Sequence, residues 1–132
     1  LSVSTLEQVA SARMMDSISD EFISAVRSEY EARRNTLYDA LQSIPGVVAG
    51  KPEGAFYMVT RLPVKDADSF AAYMLSEFSY NGATTFVAPA SGFYVDSTRG
   101  HDEVRIAYVL ERENLIKAVE VLNQGIKSYG TL

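Results

Sequence analysis

Glu103-Val104-Arg105-Ile106-Ala107-Tyr108-Val109-Leu110 is an apolar, β-branched run with an arginine inside it. The composition predicts a strand. Side chains alternate across a strand, so Val104, Ile106 and Tyr108 share one face while Arg105, Ala107 and Val109 share the other. A guanidinium stays charged at any workable pH. Holding it in a half-buried strand without a partner is costly. Arg105 therefore reaches water, pairs with a nearby carboxylate (Asp102, Glu103 or Glu111), or stands ready for an anionic ligand. An arginine fork matches a carboxylate bidentately and also suits phosphate, and from this segment alone the three readings stay open.

Working outward from the strand, the pattern of the chain becomes legible. Residues 112–129 predict a final helix, with Leu115, Val119, Leu122, Ile126 and Tyr129 recurring at helical spacing. Before the strand, residues 89–100 read as a loop, and Thr84-Thr85-Phe86-Val87-Ala88 as another strand. Residues 66–78 predict a helix with Phe70, Met74, Leu75 and Phe78 inward and Asn81-Gly82 as its stop. Ala55-Phe56-Tyr57-Met58-Val59-Thr60 is a strand after the turn Gly50-Lys51-Pro52-Glu53-Gly54, and Val47-Val48-Ala49 is a short one. A long helix starts at Ser19-Asp20-Glu21 and stops at Pro45-Gly46. Its apolar positions are Phe22, Ile23, Val26, Tyr30, Leu37 and Leu41, and its charged face includes Arg33 and Arg34. Thr5 and Gln8 form an expected capping box for a first helix reaching about Ser17.

The order α-α-β-β-α-β-β-α predicts an α+β fold. It is a two-layer α/β sandwich with a small, mainly antiparallel sheet and helices on one face, preceded by a long helix. With 132 residues, 47% of them hydrophobic and 22% charged, the chain has the composition of an ordinary globular domain. The net charge of −5 and the lack of a basic stripe argue against nucleic acid as a partner. No apolar stretch approaches the roughly 20 residues of a membrane span. The absence of cysteine excludes disulfides, thiolate metal sites and a cysteine nucleophile, and fits a cytoplasmic protein. The first residues show no signal-peptide pattern. The chain does not begin with Met, which leaves a fragment, an engineered segment or a processed product as readings.

Other candidate groups are weaker. Ser91 and Gly92, in Pro89-Ala90-Ser91-Gly92-Phe93-Tyr94, stand just before the arginine strand. Gly92 could let a ligand approach the backbone, or the segment is an ordinary loop. Ser91 has no His–Asp pair at a plausible spacing for acyl transfer. His101 is the only histidine, which disfavours a transition-metal site. Lys51, Lys65, Lys117 and Lys127 fall in turns or on polar helix faces, away from the apolar setting that depresses a lysine's pKa.

Four segments together resemble the C-terminal region of pyridoxal-phosphate-dependent aminotransferases of fold type I, classes I and II, with an aspartate aminotransferase-like flavour. They are Ser4-Thr5-Leu6-Glu7-Gln8-Val9-Ala10, Tyr30-Glu31-Ala32-Arg33-Arg34-Asn35, Pro52-Glu53-Gly54-Ala55-Phe56-Tyr57, and Val87-Ala88-Pro89-Ala90-Ser91-Gly92-Phe93-Tyr94 followed by Val104-Arg105-Ile106-Ala107-Tyr108. Pro89-Ala90 departs from the family's frequent Pro-Gly. The resemblance implies that residues 1–18 are a helix from the junction with a missing large domain and residues 19–132 the small domain. It implies that Arg105 grips the substrate's α-carboxylate, with Ser91 and Gly92 as lesser substrate contacts. Amino acids and 2-oxo acids are the implied substrates and transamination the implied reaction. The full-length enzyme is expected to be a cytoplasmic homodimer with pyridoxal 5'-phosphate as cofactor. The Schiff-base lysine, the partner of the pyridine nitrogen and the phosphate cup have no counterpart in this chain, so the segment alone is expected to bind no cofactor and to be inactive. Two other readings remain: a stand-alone α+β module that binds a free amino acid or carboxylate, and the same fold in a pyridoxal-phosphate-dependent lyase or synthase.

Overall fold

The computed structural model describes residues 2–130. Leu1, at the start of the expected junction segment, and residues 131–132, at the end of the expected small domain, lie outside the described residues. Helices α1 (Thr5–Ser17) and α2 (Asp20–Gln42) precede strands β1 (Val48–Ala49) and β2 (Tyr57–Arg61). Helix α3 (Ala67–Ser76), strands β3 (Ala88–Pro89) and β4 (Glu103–Ala107) and helix α4 (Arg112–Tyr129) complete the fold, in the expected order. The sheet runs β1-β2-β4-β3 with every pairing antiparallel. Met58, Thr60, Val104, Ile106 and Tyr108 are buried on one face, packed with Leu37 and Leu41 of α2, Phe70 and Met74 of α3, and Leu115, Val119, Leu122 and Ile126 of α4. Tyr57, Val59 and Arg61 of β2 and Ala107 of β4 point the other way and are exposed. This is the two-layer α+β architecture with helices on one face.

Several boundaries differ from the sequence reading, each for a local reason. The cap of α1 is Ser4, which makes no side-chain cap bond. Thr5 is already inside the helix, and the Gln8 amide reaches back to the Val3 carbonyl at 2.8 Å, so the expected capping box does not form. Helix α3 ends at Ser76. Asn81 and Gly82, at φ 53° and 75°, instead close a two-residue turn between the bridged Tyr80 and Ala83. On α3 the buried stripe is Ala67, Phe70, Ala71 and Met74, whereas Leu75 is exposed and Phe78 lies beyond the helix. The expected strand over residues 84–88 shrinks to Ala88–Pro89. The Thr84 hydroxyl donates to the Met74 carbonyl at 2.6 Å and the Thr85 hydroxyl to the Ala118 carbonyl at 2.8 Å, tying this segment to α3 and α4.

The N-terminal stretch buries nothing. Residues 2–29 are all exposed, including Leu6, Val9, Met14, Ile18, Phe22, Ile23 and Val26. Helix α2 joins the core only from Tyr30 onward, through Leu37 and Leu41. Its start is secured by Ser19, whose hydroxyl accepts from the Phe22 N–H.

Thr60 is fully buried, and among the described residues its hydroxyl has no hydrogen-bond partner. A buried unpaired hydroxyl carries an uncompensated desolvation cost. Thr60→Val keeps the shape and removes that cost, so urea denaturation is expected to show a gain of about 1 kcal/mol. A loss of stability would disprove this account of Thr60. At the start of α3, the Asp66 carboxylate accepts from the Ser69 N–H at 2.7 Å, and this bond holds the Asp66 pKa below its ordinary value. A depressed carboxylate pKa stabilises the fold above the unfolded-state pKa, and the contribution fades as pH falls through the folded-state pKa. Asp66→Ala is therefore expected to lower the urea midpoint near neutral pH, with the gap to wild type closing in acid. A gap independent of pH would rule out the cap's ionic contribution.

Candidate anion-binding site

Arg105 lies in β4, an inner strand paired on both sides. Val59 of β2 stands directly opposite it on one flank and Ala88 of β3 on the other. Directly paired residues share a sheet face, so the guanidinium rises from the face that the helices leave open. Two aromatic rings bracket it. The Tyr57 centroid is 4.9 Å and the Phe93 centroid 4.5 Å from the guanidinium carbon. Such ring faces attract the cation through their quadrupoles and support its stem without occupying its N–H donors. Arg105 is half-buried as a result.

No carboxylate neutralises it among the described residues. Their ion pairs are Arg33 with Glu29 and Arg34 with Glu31. Glu103, two residues before Arg105 on the same face, accepts instead from the Tyr94 hydroxyl. That bond is the main reason the Tyr94 pKa is raised, with burial adding to it. The chemistry available to the face is thus a charged, oriented, unpaired fork suited to carboxylate or phosphate.

The loop leading into β4 is organised around this bond. Ser91–Phe93 forms a turn of 3-10 helix. The Ser91 hydroxyl donates to the Asp68 carboxylate of α3 at 3.0 Å. Gly92 has open space where a side chain would project. Phe93 follows and supplies the ring over Arg105, while the Tyr94 ring is packed between the Arg99 guanidinium, 5.0 Å from its centroid, and Gly100. His101 is exposed, with Nε2 2.8 Å from the Ser97 carbonyl. Among the described residues no group of three or more His, Cys, Asp or Glu could hold a metal ion.

Arg33 and Arg34 do not form the simple solvated face expected of them. Arg33 donates to the Val109 carbonyl at 2.6 Å, and Arg34 to the Pro52 carbonyl at 3.2 Å. Both are half-buried and fasten α2 to the ends of the sheet region. Tyr108 does similar work from the core, donating to the carbonyls of Gly54 and Ala55, the latter at φ 61°. Concavities of about 450 to 570 Å³ open between α2 and α4, beside Tyr108, and between residues 83–86 and α4. Arg105 lines none of these three. Phe93 and Tyr94 were not singled out from sequence, and Glu103 was read there only as one possible ion-pair partner of Arg105, a pairing that does not form among the described residues because its carboxylate accepts from Tyr94. The available signal was Glu103 at i−2 from Arg105 on one strand face, preceded by a loop carrying adjacent aromatics.

With this geometry, the relationships of the chain are informative. A family model described as aminotransferase class I and II matches residues 1–122. The chain is 32% identical over 115 residues to an aspartate aminotransferase of Geobacillus stearothermophilus, covering 82% of this chain and 27% of that protein. It is 30% identical over 125 residues to aromatic-amino-acid aminotransferase 2 of Thermococcus litoralis, covering 95% and 30%. In three dimensions it is similar to the aromatic aminotransferase of Pyrococcus horikoshii, with a TM-score of 0.68 at 28% identity, covering 86% of this chain and 30% of that one. The chain therefore spans about a quarter to three-tenths of the length of the relatives it matches. No helix among the described residues is long and apolar enough to cross a membrane.

Gly100 tests how tightly the loop is built. Its φ is +76°, and a Cβ placed there would lie 2.6 Å from two carbons of the Tyr94 ring. Gly100→Ala combines left-handed backbone strain with that collision. A loss of more than about 1 kcal/mol is expected in urea denaturation, whereas an unchanged midpoint would mean that the loop packs elsewhere.

Proposed function

We propose, from the premise that this chain belongs to the class I and II aminotransferase family, that it is the C-terminal, small domain of a pyridoxal-phosphate-dependent aminotransferase and that Arg105 binds the substrate's α-carboxylate. The observation that carries the role of Arg105 is its unpaired guanidinium, held between two rings on the open face of the sheet. Transfer of an amino group between an amino acid such as aspartate and a 2-oxo acid is the reaction we assign to the longer polypeptide. Its relatives named as aspartate aminotransferases support aspartate as a donor. Ser91 and Gly92, in the turn that carries Phe93, are proposed as lesser contacts flanking the bound substrate.

The four lysines of this chain do not fit the cofactor. Lys51, Lys65, Lys117 and Lys127 are all exposed, without the desolvation that prepares a lysine amine for carbonyl chemistry. We assign the cofactor-anchoring lysine and the phosphate site to polypeptide outside this chain, which alone is then inactive. The exposed apolar side chains of α1 and of the first turns of α2 support this division. Leu6, Val9, Met14, Phe22 and Ile23 are exposed apolar side chains of the kind that a large domain of the same polypeptide would cover. Residues 1–18 are the proposed junction and residues 19–132 the proposed small domain. A cytoplasmic homodimer of the full-length enzyme completes the proposal.

What this chain's own residues contribute is position. An arginine fork fixes both carboxylate oxygens at once, leaving the substrate one orientation about its Cα. Arg105→Ala in the full-length protein is expected to cost about 1.5–3 kcal/mol of transition-state stabilisation, roughly a 10- to 150-fold fall in kcat/KM for L-aspartate. Steady-state kinetics with 2-oxoglutarate as acceptor measures it, and unchanged kinetics would rule out the carboxylate role.

A further inference from the structure

We propose that the hydrogen bond from the Tyr94 hydroxyl to the Glu103 carboxylate is a latch that sets the aim of Arg105, acting through Phe93. The inference rests on the reading of Arg105 as the carboxylate anchor and adds the residues that position it. Tyr94 and Phe93 are adjacent in the chain but do different work. The Phe93 ring lies over the guanidinium, and Tyr94 ties the same backbone to β4 two residues before Arg105. Along a strand, two steps of about 3.3 Å separate Glu103 from Arg105. The latch and the ring it steadies therefore close a small loop from β4 back onto β4.

Three contacts converge on the Tyr94 side chain. Glu103 accepts from its hydroxyl, the Arg99 guanidinium lies 5.0 Å from its ring centroid, and the Gly100 backbone comes so close to the ring that no side chain fits there. The Phe93 ring, in contrast, is 61% exposed. A ring so exposed has little packing of its own to hold it, so the order of Phe93 depends on its neighbour. Glu103 has cations within reach on its own face. Arg61 is its direct cross-strand partner, and Arg105 is two residues along. Among the described residues it forms an ion pair with neither. Its carboxylate is spent on the tyrosine.

If the latch fails, Phe93 swings away and Arg105 loses one of its two rings. The guanidinium keeps its charge but gains rotamer freedom, which carboxylate binding must then remove. The deficit falls on binding of carboxylates, with little effect on the rate of the bound complex. Tyr94 and Glu103 are thus positioning residues.

The test uses the full-length enzyme and four variants, with KM for L-aspartate, kcat, and the Kd of the unreactive dicarboxylate succinate by calorimetry. Tyr94→Phe keeps the ring and deletes the donor. Glu103→Leu deletes the acceptor. Both are expected to raise KM and the succinate Kd by about three- to ten-fold with kcat nearly unchanged. Glu103→Gln removes the charge but keeps an acceptor for the tyrosine, and it is expected to stay close to wild type. Arg105→Ala serves as the reference. If Arg105→Ala weakens succinate binding and Tyr94→Phe does not, the latch is wrong and the anchor stands. If Arg105→Ala itself leaves binding unchanged, anchor and latch fall together. A Glu103→Gln variant as impaired as Glu103→Leu would show that the carboxylate acts by charge, and would overturn the latch.

Discussion

A permanent positive charge shares five residues of backbone with Val104 and Ile106, two of the buried side chains of the core. The two-residue period of a strand makes this possible. Turning Val104 and Ile106 inward obliges Arg105 to turn outward, and one step of register would bury the guanidinium among Phe70, Leu41 and Leu122. A slip of that kind would carry the uncompensated cost of an ion in an apolar core. Arg105 thus helps to define which face of the sheet the helices cover, and its guanidinium is left on the opposite, open face.

The open face is a compromise. A cation on an exposed sheet would be fully hydrated and mobile, and would bind weakly. A cation closed off with a carboxylate would be stable and inert. Here the aromatic rings of Tyr57 and Phe93 reduce hydration and motion without cancelling the charge. The nearby carboxylate on the same strand face is engaged by a tyrosine hydroxyl. Tyr57 comes from the neighbouring strand and Phe93 from the loop before β4, so the two rings approach from different parts of the chain. Such a platform is suited to meet a ligand whose other side is held by something else, consistent with a chain covering about a quarter of its aspartate aminotransferase relatives.

The N-terminal side also carries apolar side chains that stay exposed. Helix α2 has an amphipathic pattern throughout, yet only its second half finds a core. Periodicity reports which face of a helix prefers burial, but it does not report whether a partner lies within the same chain. Leu75 on α3 shows the complementary limit. It is apolar and follows Met74, but one helical step turns it about 100° from Met74, past Ala71 at the edge of the buried stripe, and it is exposed.

What the amino-acid order determined by itself is whatever depends on backbone period and short-range chemistry. That includes the succession of helices and strands, the alternation that turns Arg105 from the core and the 18 residues of α4. These follow from spacing along one dimension, since neighbours in sequence are neighbours in space. The tertiary structure alone decided where long polar side chains end. Arg33 meets the Val109 carbonyl 76 residues away, Thr85 turns from an expected strand to the backbone of α4, and the Tyr94 hydroxyl closes on Glu103. Each of these depends on a distance set by packing, and residue type alone allows a long flexible side chain many partners. The sequence thus supplied the charge and its direction, and the packed loop supplied its aim.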